Sequence, residues 1–125
     1  MILCDTNILI EVYKNNLKII EIVKQIGQEN IAISEVTCAE LLFGARNKKE
    51  LRTIRKDLNK LTVLSIQPAI SSLAVQLVEK YSISHKLSLP DALIASTAIV
   101  NELELYTINI KDFKFIDDVR LYIHS

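Results

Sequence analysis

The chain has 125 residues, half of them apolar and 24% charged, with 15 Lys and Arg against 15 Asp and Glu. That composition is too apolar for a disordered chain, and two Gly and two Pro exclude collagen-like or Gly/Pro-rich repeats. A formal net charge of zero excludes a partner logic resting on whole-chain basicity, though not a local patch.

The length suits one domain over residues 1–125 with a core that needs no staple. Ile2-Leu3-Cys4 reads as a buried strand that stops at Asp5-Thr6-Asn7, one of which caps a helix starting near Ile8. A second helix is expected from about Leu17 to Ile26, stopped by Gly27. Asn30–Ile33 is the second strand, and Ser34 caps a helix over Glu35–Arg46. Lys48–Leu61 is the next helix, with Leu51, Ile54, Leu58 and Leu61 as its apolar stripe. Thr62–Ile66 is the third strand. Pro68 opens a helix whose Ile70, Leu73, Ala74, Leu77, Val78 and Tyr81 keep a 3.6-residue period, and Ser84–Leu87 is a connection. Ser88 caps a helix to about Asn101 that is apolar on most sides. Leu103–Ile108 and Val119–Ile123 are the fourth and fifth strands.

Cys4 and Cys38 lack the spacing of a zinc site or a disulfide framework, so buried free thiols are expected. The longest apolar run, Leu93–Val100, falls short of the ~18 residues of a membrane span and contains Ser96 and Thr97. No positive stretch precedes Asp5. A soluble, reducing, cytoplasmic setting without membrane contact is expected.

Short apolar strands alternating with helices predict an α/β fold, a three-layer α/β/α arrangement around a mostly parallel five-stranded sheet. Working residues in such folds lie at the carboxyl ends of strands. Asp5 ends strand one. Glu40 lies two turns into the helix after strand two, roughly 140° around it from Glu35. Asp91 opens the apolar helix, and Asp112 follows strand four. Four acids can thus meet at one sheet edge. Clustered carboxylates repel and suit hard divalent cations such as Mg²⁺ or Mn²⁺, which serve phosphate chemistry. His85 and His124 are not placed to support zinc. Each acid also has a plainer explanation: helix cap, half-exposed helix acid, dipole partner or turn former.

These residues resemble a known family. Leu3-Cys4-Asp5-Thr6-Asn7-Ile8, Ala39-Glu40-Leu41-Leu42-Phe43-Gly44, Leu89-Pro90-Asp91-Ala92-Leu93-Ile94-Ala95 and Thr107-Ile108-Asn109-Ile110-Lys111-Asp112-Phe113 resemble, in order, the motifs of PIN domains, and within them the VapC-type toxins. The resemblance spans nearly the whole chain. It implies a PIN-like fold and a Mg²⁺- or Mn²⁺-dependent endoribonuclease that cleaves RNA with metal-activated water. Asp5, Glu40 and Asp91 match the metal-ligating acids, and Asp112 a fourth, more variable one. Thr6 and Asn109 match polar positions that support the site by hydrogen bonding. A small cognate antitoxin and a homodimer are implied as partners.

Seven of the 15 basic residues fall within positions 46–60. Lys49, Arg52, Lys56 and Lys60 would share a helix face, and Arg46, Lys49 and Arg52 are candidates for RNA contact; a solvated face or a surface for an acidic antitoxin segment are the alternatives. A phosphoacceptor receiver would need an acid ending strand three, and a haloacid-dehalogenase-like phosphatase would need Asp-x-Asp where Asp5-Thr6-Asn7 stands. The stronger rivals are an RNA-processing nuclease without an antitoxin and a non-catalytic RNA- or protein-binding module.

Overall fold

The computed structural model describes residues 1–124. In chain order it has β1 (Ile2–Cys4), α1 (Thr6–Tyr13), α2 (Leu17–Ile26), β2 (Ile31–Ser34), α3 (Glu35–Phe43), α4 (Lys48–Leu58), β3 (Thr62–Leu64), α5 (Pro68–His85), α6 (Leu89–Val100) and β4 (Glu104–Tyr106). The strands pair in the order β3-β2-β1-β4, all parallel. The chain therefore winds outward from β1 to β3, then crosses back to place β4 on the other side of β1. That reversal opens a crevice at the carboxyl ends of β1 and β4, where ligands of open α/β sheets bind.

The two-residue period of the strands divides the core. Leu3, Ala32 and Leu105 point to one face and pack with Ala74, Leu77, Ile94 and Ala95 of α5 and α6. Cys4, Ile31, Ile33 and Tyr106 point to the other face and pack with Ile8, Ile19, Ile22, Leu41 and Leu58 of α1 to α4. Three layers result. α6 is buried on several sides, as its largely apolar character requires, and Ser96 and Thr97 are buried with it. Both thiols are free and buried.

The expected caps recur: Asp5, Ser34 and Ser88 each cap the following helix, and Gly27 ends α2 at a φ of 90° that a Cβ would disfavour.

The sheet has four strands, not five. Residues 119–123 contribute a single bridge, Leu105 to Leu121, in which the Leu105 N–H donates to the Arg120 carbonyl (2.8 Å) and the Tyr122 N–H to the Leu105 carbonyl (2.8 Å). In a parallel ladder alternate residues turn their backbone groups to opposite neighbours. Of three-residue β4, only Leu105 faces outward, so one rung is all the edge offers.

Other elements are shorter than their apolar patterns, each for a local reason. β4 stops at Tyr106 because the Thr107 hydroxyl accepts the Asn109 N–H (3.0 Å) and turns the chain. β3 stops at Leu64, and the Ile66 N–H is taken by the Glu35 carboxylate (2.8 Å) instead of a strand. α3 ends before Gly44, whose N–H closes on the Glu40 and Leu41 carbonyls. α4 ends at Leu58, so Lys60 lies beyond the helix, and Leu51 is 42% exposed rather than part of a buried stripe. α5 continues through Ser84 to His85, and Lys86, in the left-handed region at φ 54°, stops it.

Leu3 is fully buried at the centre of the sheet. Leu3→Ala is expected to cost about 2–5 kcal/mol, the range for a truncated core Leu, measured by urea unfolding. A loss within the scatter typical of surface changes would show that β1 is not the core's axis.

Candidate metal centre

Asp5 is 5% exposed, at the mouth of the β1–β4 crevice. Its own N–H donates to the Tyr106 carbonyl (2.9 Å), locking it to the end of β4. Its two carboxylate oxygens are each held once. Oδ1 accepts the Thr6 N–H (2.8 Å), and Oδ2 accepts the Thr107 hydroxyl (2.8 Å).

Glu40 is on the exposed side of α3, and its Oε1 accepts the Thr6 hydroxyl (2.7 Å). That donation uses the only Thr6 hydroxyl proton, so in the Thr6–Thr37 contact (2.9 Å) Thr37 is the donor. Thr6 thus reaches two acids, Asp5 through its amide and Glu40 through its hydroxyl. Thr107 is a second hub. It donates to Asp5 and accepts from the Asn109 N–H and, at 3.5 Å, from the Asn7 amide.

Asp91 lies half-buried in the first turn of α6, where its carboxylate meets the positive end of the helix, and its N–H donates to the Ser88 hydroxyl (3.3 Å). Asp112 closes a 3₁₀ turn, Ile110–Asp112, and Phe113 behind it is buried in the core.

The four acids share one electrostatic environment. Burial first, then the charges of Asp5, Asp112 and Glu40, push the Asp91 carboxyl up to about 6. Burial also raises the Asp5 carboxyl, with Glu40 and Asp112 adding to it, while the bonds from Thr107 and Thr6 pull it back. Among the described residues no Lys or Arg pairs with any of the four; the ion pairs there are Lys14–Glu11 and Arg46–Glu50.

The donors are all carboxylate or hydroxyl oxygens, and the charge is negative and uncompensated. In chemistry and in charge the residues fit a hard divalent cation. Among the described residues no three Asp, Glu, His or Cys side chains are close enough to enclose an ion as they stand. The fit is one of donor type and field, not of a closed cage.

Thr6 thus bridges two of the acids, whereas Asn109 contributes its main-chain N–H. Thr107 and Thr37 were not among the expected site residues. Thr107 ends a strand, the same position that singles out Asp5, and Thr37 lies three residues before Glu40 on one face of α3. A hydroxyl directly after a strand's last residue is the sequence signal that marks Thr107.

The basic candidates separate. Arg46 and Lys49 line a groove of ≈ 910 Å³ that includes Ile10, Tyr13, Leu41 and Ile54 and reaches Glu40. Arg46 is held there by Glu50, its Nε donating to both carboxylate oxygens (3.3 and 3.0 Å) and its Nη2 to one (2.7 Å). Arg52 does not line this groove. It faces a smaller hollow with Arg55 and Lys56.

The family model described as PIN domain matches residues 2–117. The chain belongs to the PIN-domain family. Ribonuclease VapC10 of Mycobacterium tuberculosis is 34% identical over 94 residues, covering 72% of this chain and 68% of that protein. Ribonuclease VapC19 of the same organism is 32% identical over 93 residues, covering 74% of each. Among solved structures, a toxin-antitoxin complex from Klebsiella pneumoniae superposes with a TM-score of 0.81 at 33% identity over 95% of each chain. VapBC2 from Rickettsia felis, bound to a DNA fragment from its promoter, gives a TM-score of 0.81 at 26% identity over the whole of each chain. The PIN fold and its VapC-type character are thus established. No helix among the described residues is long and apolar enough to cross a membrane.

Two outcomes test the site's physics. Because the Asp91 carboxyl is raised, the folded chain holds more protons than the unfolded one between the ordinary Asp value and about 6, and stability falls as pH rises through that window. Asp91→Asn is therefore expected to raise the melting temperature of metal-free protein at about pH 7.5 and to lose that gain near pH 3.5. Calorimetry at both pH values checks this, and an equal gain at each contradicts it. Thr107→Val removes the hydroxyl from a buried carboxylate oxygen and should cost about 1–3 kcal/mol in urea unfolding, with Thr107→Ser close to wild type.

Proposed function

We propose that this PIN domain is the toxin of a toxin–antitoxin pair, an endoribonuclease dependent on Mg²⁺ or Mn²⁺. The observation that carries the reading is that Asp5, Glu40, Asp91 and Asp112, supplied by four different elements, lie near enough to act on the Asp91 carboxyl, with no Lys or Arg in ion-pair contact with any of them among the described residues. The ribonuclease names of the relatives and the toxin–antitoxin complexes among the structural neighbours support it.

Asp5, Glu40 and Asp91 would hold the ion, with Asp112 completing its surroundings. When bound, a divalent ion supplies Lewis acidity toward phosphate and water with a lowered pKa. The chain's residues do the rest. Thr6 and Thr107 hold the Asp5 carboxylate at both oxygens, so its remaining lone pairs have one orientation. Thr6 holds Glu40 by one oxygen and leaves the other free of protein donors among the described residues. Arg46 and Lys49 offer donors to the phosphates flanking the cut, and Glu50 holds the Arg46 guanidinium in place for them. Tyr13 and Ile10 supply apolar surface for a base or ribose. No side chain need be the nucleophile. A small antitoxin would silence the enzyme, and a homodimer is the proposed assembly.

The test is cleavage of total cellular RNA by purified, antitoxin-free protein with Mg²⁺, with Mn²⁺ and with EDTA. Discrete fragments that need the metal are expected. Asp91→Asn should lower cleavage by at least about a hundredfold, within the range for removal of an electrostatic catalytic group. Arg46→Ala should raise KM more than it lowers kcat. Folded wild type that cleaves nothing with either ion would overturn the reading and leave a binding module.

A further inference from the structure

Five of the seven basic residues at positions 46–60 line two separate hollows. Arg46 and Lys49 line the groove that reaches Glu40. Arg52, Arg55 and Lys56 line a hollow of ≈ 320 Å³ with Leu51 and Asn59, and the two linings share no residue. At 100° per residue Lys49 stands only about 20° from Lys56, so the two linings adjoin along that line, while Thr53 and Ile54 of the groove lie roughly 100° or more round the helix from Arg55 and Asn59 of the hollow.

Both acids of α4 are turned elsewhere. Glu50 is occupied by Arg46, and Asp57 accepts the Tyr13 hydroxyl (2.8 Å). Among the described residues Arg52, Arg55 and Lys56 have no acidic partner; Arg55 meets only the Asn59 side-chain carbonyl, at 3.4 Å. Three exposed cations thus stand together without compensation on a chain whose total charge is zero. Their mutual repulsion is relieved by a polyanion with regularly spaced charges. Leu51, exposed among them, adds an apolar contact that suits a ribose or base edge.

We propose that the Arg52–Arg55–Lys56 hollow is a second RNA-backbone site that grips phosphates away from the scissile bond. This rests on the ribonuclease reading and narrows its substrate. The RNA is long or folded enough to touch both faces of α4 at once, and a short strand filling the groove alone leaves the hollow empty.

The experiment measures binding of the full chain to a labelled long hairpin RNA and to a short single strand, in EDTA, across a KCl series. The triple variant Arg52→Ala/Arg55→Ala/Lys56→Ala is compared with wild type and with Arg52→Lys/Arg55→Lys, which keeps the charge. In the Ala variant hairpin affinity should fall roughly tenfold or more, and the slope of log K against log salt should shrink by about 2. Short-strand affinity should stay as in wild type, and the Lys variant should retain most of the hairpin affinity. Unchanged hairpin affinity and slope overturn the proposal. So does an equal loss for both RNAs, which would mean one continuous surface. Retained RNA binding with lost binding of a polyglutamate peptide would assign the hollow to an acidic protein segment. Because EDTA stops turnover, the failure of cleavage by wild type is read separately and does not enter these outcomes.

Discussion

Like charges brought to one sheet edge repel, and the rest of this structure is arranged around tolerating that repulsion. Burial raises the Asp91 and Asp5 carboxyls, and the charges of the neighbouring acids, Glu40 and Asp112 among them, add to it. The protein steadies Asp5 and Glu40 with neutral donors, the Thr6 and Thr107 hydroxyls and a backbone N–H. A Lys or Arg at the same points would have steadied them more strongly and erased the field that draws a cation. Hydroxyls orient the acids while leaving their charge in place.

The topology makes this affordable in geometry. β1 lies inside the sheet, paired on both sides, and Asp5 directly after it closes its own N–H on Tyr106. The return crossing through α5 and α6 brings β4 and Thr107 beside it from 102 positions away in the chain. α6 is buried on several sides, and Asp91 in its first turn is placed by that packing. Phe113 does the same for Asp112 by anchoring the chain directly after it.

The acids were legible because each ends an apolar run or interrupts one, a pattern that burial makes conspicuous. Helix starts were legible for a similar local reason: Asp5, Ser34 and Ser88 are caps whose side chains bond amides a few positions on. Element ends were not, because they depend on distant partners. Apolar pattern carries the third strand through Ile66, yet Glu35, from another helix, takes the Ile66 N–H. Val119–Ile123 has strand composition, but pairing needs an edge to pair with, and β4 turns only Leu105 toward it. Thr107 and Thr37 escaped notice because a hydroxyl's worth lies in what faces it, which composition does not record. The PIN-like motifs include Thr6 and Thr107, which do bond acids, but a motif match gives a residue's place in the chain and not its partner.

The zero net charge conceals a local separation of charge: four acids about one sheet edge, and on α4 the cations Arg52, Arg55 and Lys56 without acidic partners among the described residues. Poles of this kind give a neutral body polarity: near a nucleic acid the Arg52–Arg55–Lys56 face is drawn to the polymer and the acids are repelled by it. Encounter is then governed by orientation more than by attraction. A cation seated among the acids would reduce the repulsive pole and change the resting angle at which the protein meets its polymer. Occupancy of the crevice would therefore alter how the molecule approaches RNA as well as what it does after arrival.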